Sequence, residues 1–164
     1  MRKVGLLGAA VALLATGLVG GSLLPASSQG AQTETFTVCD KTRTGFQKSI
    51  DVGKKNFSAG DYIVEANPYV NPQTGNRAGR DAGTLTVIRR RGRDALFAAH
   101  FTSVFPRGKI IVDGIGKFSN LRKGLNFAIT GGTARYDTAS GTVTAQLGRC
   151  DGARALRLRF QVTL

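Results

Sequence analysis

The chain has 164 residues, 23 of them Lys or Arg and 10 Asp or Glu, so its formal net charge is +13. Hydrophobic residues make up 41% of it, which excludes a disordered polyelectrolyte. Two Cys and one His exclude a cysteine-dense framework, a four-thiolate zinc site and any metal motif that needs paired histidines.

The N-terminal segment has the pattern of an export signal. A basic start is followed by an uncharged apolar run over residues 4–24 and then by small residues. This order predicts a secretory signal peptide over residues 1–28, with Ala31 as a second cleavage choice. Because about 20 apolar residues suffice to span a bilayer, a retained membrane anchor is the alternative.

Residues 29–36 are polar and predict a flexible segment, which leaves 37–164 as one domain. Export would place this domain where disulfides persist. Cys39 and Cys150 lie near its two ends, so a bridge between them would close almost the whole domain into one loop. Two free, buried thiols are the alternative.

Short strand-like runs alternate with Gly, Pro, Asn and Asp clusters along the domain, and no long window has a helical period. Eight strands are predicted, at Thr35–Val38, Gly60–Ala66, Gly83–Arg90, Ala95–Phe105, Lys109–Phe118, Leu125–Thr130, Ser140–Gln146 and Arg154–Leu164.

The last of these runs has one apolar and one polar face. Leu156, Leu158, Phe160 and Val162 alternate with Arg157, Arg159, Gln161 and Thr163. This pattern is typical of an antiparallel sheet with one side on a core. Eight evenly spaced strands predict an all-β, eight-stranded antiparallel barrel, because closure removes exposed edges. A two-sheet sandwich is the alternative.

Two segments together resemble a known family. Residues 60–87 run from a strand through an Asn-Pro and a Gly-containing loop to Gly79-Arg80, and residues 105–145 hold a Pro-x-Gly hairpin and the block GGTARYDTASG. The order is similar to that of the allene oxide cyclase barrel and dirigent-like superfamily, in particular its exported bacterial members. The family has Gly where this chain has Ala134.

The resemblance implies an eight-stranded barrel with a cavity for one small, apolar molecule. Relatives guide the cyclisation or coupling of reactive substrates by confinement, without a metal or organic cofactor. It implies a secreted protein of isomerase-like type, if it is an enzyme. A homo-oligomer, dimer or trimer, would fit the family, and no specific nucleic-acid partner is indicated.

The candidate catalytic residues lie around this Asn-Pro. Dirigent proteins carry an acid where this chain has Asn67, and an amide cannot act as a carboxylic acid. Glu65 lies two residues earlier, on the same strand face, and could replace that acid if the face points inward. Otherwise Glu65 is a solvated outer charge. Arg80 could stabilise an oxyanion at the cavity mouth or pair structurally with Asp81.

Three further residues are candidates for ligand binding. Tyr62 and Tyr69 could supply phenols to the cavity wall, or they could be ordinary core or rim aromatics. His100 shares a strand with a stripe of Phe that occupies the opposite face, so it points either into the cavity or outwards to water.

Arginines form a second feature of the sequence. Arg89, Arg90, Arg91 and Arg93 cluster at a predicted turn, and Arg154, Arg157 and Arg159 lie in the last strand. Together they predict a cationic face that could dock on an anionic surface or polymer. The alternative function is therefore a non-catalytic extracellular binding module that carries an apolar ligand or uses this face.

Overall fold

The computed structural model describes residues 30–53, 57–91 and 94–164, so the predicted signal peptide lies outside the described residues. The described part is all-β, with two short 3-10 helices at Thr42–Thr44 and Phe118–Arg122. The strands are β1 (Thr33–Asp40), β2 (Phe46–Ile50), β3 (Tyr62–Ala66), β4 (Pro68–Val70), β5 (Arg77–Arg91), β6 (Asp94–Phe105), β7 (Gly108–Lys117), β8 (Leu125–Ala134), β9 (Ser140–Cys150) and β10 (Ala153–Thr163).

The ten strands fill eight positions of one antiparallel sheet. β1 and β2 are two parts of one position, interrupted by the first 3-10 helix, because they pair with β4 and β3 respectively. β3 and β4 are likewise two parts of one position, broken at Asn67, because both pair with β5. From β5 to β10 each strand pairs with the next.

The sheet closes through the pairing of its first and last strands. β1 and β10 run antiparallel in unbroken register from Thr33↔Thr163 to Asp40↔Leu156. The eight-stranded antiparallel barrel is thereby confirmed, and the two-sheet sandwich is excluded. β1 begins at Thr33, inside the segment that the sequence predicted to be flexible.

Inward and outward side chains alternate along the strands, as the pleat requires. In β10, Leu158, Phe160 and Val162 are buried while Arg157 and Arg159 are exposed. The core combines such residues from every side of the barrel, including Val38, Phe97, Ile110, Val112, Phe127, Ile129, Val143 and Ala145.

The observed strands differ from the predicted ones in several places. β4 was not predicted, β1 extends to Asp40, and β5 begins at Arg77. β2 was not predicted, because four of its five side chains are exposed and it carries no apolar alternation. β8 continues past Thr130 to Ala134, which adopts a left-handed φ of 56° at the start of the turn. A bulge between Val87 and Arg89 shifts the β5–β6 register, so Arg89 is exposed although Leu85 and Val87 face the interior.

The structure contains the Cys39–Cys150 disulfide, with Cα atoms 6.4 Å apart. Both cysteines are buried with Val70, in a small cluster separate from the main core, and Ala155 packs against it. The bridge spans 111 residues and links β1 to the end of β9, the strand that precedes the closing strand β10. Among the described residues, no helix is long and apolar enough to cross a bilayer.

The disulfide should contribute strongly to stability. Because it closes a loop of 111 residues, the chain-entropy model predicts that its reduction lowers the free energy of unfolding by up to about 4–5 kcal/mol. Thermal melting with and without reductant measures this effect, with Cys39→Ala as the genetic equivalent. An unchanged melting curve in a sample with quantitatively titrated free thiols would contradict the prediction.

Candidate functional site

The barrel encloses a cavity of about 340 Å³, a volume within the range of small-molecule pockets. Its walls are mostly apolar and rich in aromatic rings, and the apolar lining includes Leu85, Phe97, Phe101, Val112, Phe118, Leu121, Phe127, Val143, Ala145, Leu158 and Phe160. Gln47, Leu147 and Arg154 also line it and are exposed, so they mark the end at which the cavity reaches solvent.

Three carboxyl groups enter this apolar space from neighbouring strand positions. Asp40 ends β1, Glu65 lies in β3 and Asp81 lies in β5. All three side chains are buried, and one oxygen of each lies within 4.8 Å of the others. Asp40, Glu65 and Asp81 are called the acid cluster below.

The members of the acid cluster differ in their hydrogen bonds. Asp81 accepts on both oxygens, from the backbone N–H of Asn67 at 2.8 Å and from the Tyr69 hydroxyl at 3.2 Å. Glu65 accepts from the Gln47 amide at 3.2 Å. Asp40 Oδ2 accepts weakly from the Asn67 side-chain amide at 3.4 Å, whereas Asp40 Oδ1 is buried without a partner among the described residues.

Two hydroxyl groups extend the polar wall of the cavity. The Tyr69 oxygen lies 3.0 Å from Ser103 Oγ, and both residues line the cavity. Burial raises the pKa of Tyr69 well above its usual value, so its hydroxyl remains a neutral donor or acceptor. The wall therefore offers neutral hydroxyls beside the carboxyl groups.

The acid cluster holds protons at neutral pH because its surroundings disfavour charge. Burial, together with the charges of Asp81 and Glu65, raises the pKa of Asp40 to about 8. Burial and the charge of Asp81 raise the pKa of Glu65 to about 7. Burial also raises the pKa of Asp81. Such closely spaced groups titrate as a unit, so near pH 7 the cluster can both donate and accept a proton.

The structure brings only part of the predicted site to the cavity. Glu65 and Tyr69 line it. Asn67 is buried beside it and binds two acids, Asp81 through its backbone and Asp40 through its amide. Asn67 therefore positions carboxyl groups instead of standing in for one.

The other predicted residues lie elsewhere. Arg80 is exposed, because it precedes the inward Asp81 and so faces outwards by strand alternation. Tyr62 lies on the strand face opposite Glu65 by the same alternation. His100 is exposed on the outer face of β6, where its Nδ1 lies 2.5 Å from Asp113 Oδ1.

Three residues of the site, Asp40, Asp81 and Ser103, were not predicted from the sequence. Asp81 could have been found by extending the β5 alternation back from Leu85, since both occupy the same face. Ser103 shares the face of Phe97 and Phe101 in the same way. Asp40 gave no such signal, because its strand was predicted to end at Val38.

No protein-family model matches the sequence, and neither does any curated protein. Solved structures do match. A pyocyanin demethylase is 20% identical with a TM-score of 0.66, over 79% of this chain and 100% of that one. The Diels-Alderase AbmU from Streptomyces koyangensis is 18% identical with a TM-score of 0.62, over 84% and 71% of the two chains.

A pterocarpan synthase dirigent protein is 16% identical with a TM-score of 0.60, over 91% of this chain and 98% of that one. At these identities the likeness concerns the fold. The chain therefore has the eight-stranded barrel fold that the resemblance to the dirigent-like superfamily implied.

The raised pKa values predict that stability falls as the pH rises from about 4 to about 8. In that range Asp40 and Glu65 are ionised in the unfolded chain but still protonated in the folded one, whose pKa values are about 8 and 7. Unfolding therefore releases protons, and a higher pH favours it. Melting temperatures measured at intervals of pH should fall by several degrees across this range.

Glu65→Gln should remove part of this fall, because an amide does not titrate. Asp137→Asn is the matched control, since Asp137 is exposed and its replacement should leave the slope unchanged. A melting temperature that is flat or rises between pH 5 and pH 8, or equal slopes in both variants and the wild type, would refute the raised pKa values.

Proposed function

We propose that the barrel binds one small, largely apolar molecule and guides its cyclisation or coupling, in the manner of an isomerase. One observation carries the proposal: three buried carboxyl groups with raised pKa values converge in an otherwise apolar cavity. A cavity that only carried an apolar ligand would gain nothing from burying them, because burial of a carboxyl group costs free energy.

The mechanism that fits this geometry begins with confinement. The aromatic and aliphatic walls hold the substrate in one conformer, and this replaces translational and rotational freedom that a reaction in water would have to lose. The apolar walls place each polar group in a medium of lower dielectric constant than water, where its effect on developing charge is larger.

Proton transfer is the second contribution. Glu65 lies at the polar wall with a pKa near 7, which suits a group that donates a proton at one stage and recovers it at another. Asp81 is held in place by Asn67 and Tyr69. The hydroxyl of Ser103, which lies 3.0 Å from the Tyr69 oxygen, can rotate to donate a hydrogen bond to a substrate oxygen on which negative charge develops.

The fold neighbours support this class of reaction. One of them is a Diels-Alderase and another a dirigent protein. The disulfide supports a role outside the cytoplasm, because such bonds persist in oxidising compartments. Together with the predicted signal peptide this leads us to propose an exported protein.

The test starts from a molecule captured in vivo. Protein purified from its own host should carry one small molecule per barrel, visible by native mass spectrometry. Ala145→Phe, which places a ring in the cavity, should abolish the mass increment, whereas Thr142→Phe on the exposed face of β9 should retain it. If the Ala145→Phe variant has an unchanged melting temperature and still captures the small molecule, the cavity is not the binding site.

The Glu65→Gln variant then distinguishes a catalytic barrel from one that only carries its ligand. If Glu65 transfers a proton, this variant should lose about 10²–10⁴-fold in turnover of the captured molecule or its precursor, while Asp137→Asn retains it. The melting temperature shows that the variant is folded. Turnover equal to the wild type would remove Glu65 from the mechanism.

A second candidate function rests on the outer surface. Among the described residues four acids, Asp40, Asp61, Glu65 and Asp81, are buried, so the exterior is more basic than the composition suggests. Arg154, Arg157 and Arg159 are exposed along β10. This face could dock on an anionic polymer.

The docking face has a direct test. A double substitution, Arg157→Gln with Arg159→Gln, should lower the salt concentration that elutes the protein from a heparin column, because fewer cations contact the polymer. The matched control is Lys109→Gln with Lys117→Gln, in exposed positions of β7, which removes equal charge from another strand. Equal shifts in both double variants would indicate net charge alone and exclude a dedicated face.

A further inference from the structure

The ionisable groups inside the cavity are of the opposite sign to the excess charge of the protein. Asp40, Glu65 and Asp81 line it, and Arg154 is the one cationic side chain among its described lining residues. Arg154 is exposed and lies at the solvent end. The interior therefore attracts a cation and repels an anion once its carboxyl groups ionise.

An unsatisfied acceptor gives a second indication. Asp40 is 1% exposed, and its Oδ1 atom has no hydrogen-bond partner among the described residues. Buried polar atoms in native proteins almost always have a partner. Asp40 lines the cavity, so a ligand that donates a hydrogen bond or brings positive charge would complete this side chain.

The remaining walls determine the shape of the ligand. Phe97, Phe101, Phe118, Phe127 and Phe160 present rings to the cavity, and the centroids of Phe97 and Phe118 lie 4.5 Å apart. Aromatic walls stack on flat rings and attract a cation over their faces. Rings and carboxyl groups thus surround the same space.

We propose that the substrate class of this cavity is a flat aromatic molecule bearing a positively charged nitrogen, with the charge at the acid cluster and the rings between the phenylalanines. This inference rests on the proposed function, since it specifies the ligand of the same cavity. Neutral polyenes and anionic acids fit the charge of the site less well.

A divalent metal ion fits the same acids less well than an organic cation. Both oxygens of Asp81 already accept hydrogen bonds, and Glu65 Oε2 accepts one from Gln47. Calcium requires six to eight oxygen ligands, whereas the walls facing the cluster are phenyl rings. A diffuse organic charge is stabilised by both carboxylates and rings.

The experiment compares three tricyclic probes that share a ring size and differ in charge: 10-methylacridinium, acridine and acridine-9-carboxylate. At pH 8.5, where acridine is neutral, fluorescence titration should show the methylacridinium bound about tenfold more tightly than acridine, which corresponds to about 1.4 kcal/mol. The carboxylate should bind most weakly.

Variants locate the charge preference. Asp40→Asn and Glu65→Gln should each weaken binding of the methylacridinium more than binding of acridine, whereas Asp137→Asn should alter neither. The preference should also fade between pH 8.5 and pH 7, where acridine stays neutral, as Asp40 and Glu65 take up protons. Of the other groups that line the cavity, Tyr69 stays neutral because burial raises its pKa, and Arg154 lies at the solvent end.

Each result has a distinct meaning. If acridine binds and the cation binds no more tightly, the inference fails while the proposed cavity function stands. The proposed function fails as well if no probe binds to the folded protein and the Ala145→Phe variant captures the same small molecule as the wild type. If Ca²⁺ or Mn²⁺ binds with micromolar affinity and displaces the methylacridinium, the acid cluster is a metal site and the organic cation is excluded.

Discussion

The pairing of β1 with β10 is the interaction on which the rest of the structure depends. It joins the first and last strands in register over the whole of β1, and the Cys39–Cys150 bridge links β1 covalently to the end of the neighbouring strand β9. Closure removes the free edges of the sheet and separates the interior from water. The raised pKa values of the acid cluster follow from this separation, since burial is their leading cause.

The interruptions of two strands shape the site as much as the regular pairing does. Between β3 and β4, the backbone N–H of Asn67 binds the Asp81 carboxylate, and Asp81 returns its own N–H to the Asn67 carbonyl. Opposite this break, a Cβ on Gly45 would lie 2.0 Å from Asn67 Oδ1. Only glycine permits this approach, so the interruption after β1 and the break at Asn67 form one arrangement that holds two acids inward.

Alternation in the sequence was sufficient to predict the barrel but left the direction of Glu65 open. The faces of β10 follow from a period of two. Arg89 does not follow the alternation of Leu85 and Val87, because a bulge in β5 reverses which side chains face inwards. Bulges depend on the partner strand and so are not visible in the local sequence. Arg80 was chosen by resemblance, although alternation places it opposite Asp81 and therefore outside.

Asp40 shows a further limit of prediction from the sequence. It follows a cysteine at the end of a short strand, and nothing in its neighbourhood distinguishes it from a surface acid. Its role arises only when β1 closes against β4 and β10, which brings it beside Glu65 and Asp81. Clusters of this kind are products of topology, because each residue is ordinary within its own strand.

The basic exterior and the acidic interior are separate features with separate effects. The many outer cations lower the cost of ionising the acid cluster only slightly, because charges more than a Debye length of about 8 Å apart are largely screened at physiological salt. Local burial and the mutual repulsion of the three acids therefore determine most of the cost of ionising the cluster. A ligand that places positive charge among them relieves both effects at once, and in doing so it converts protonated carboxyl groups into carboxylates. Binding of a cation would thus change the protonation state of the groups that we assign to catalysis, which couples recognition of the substrate to its chemistry.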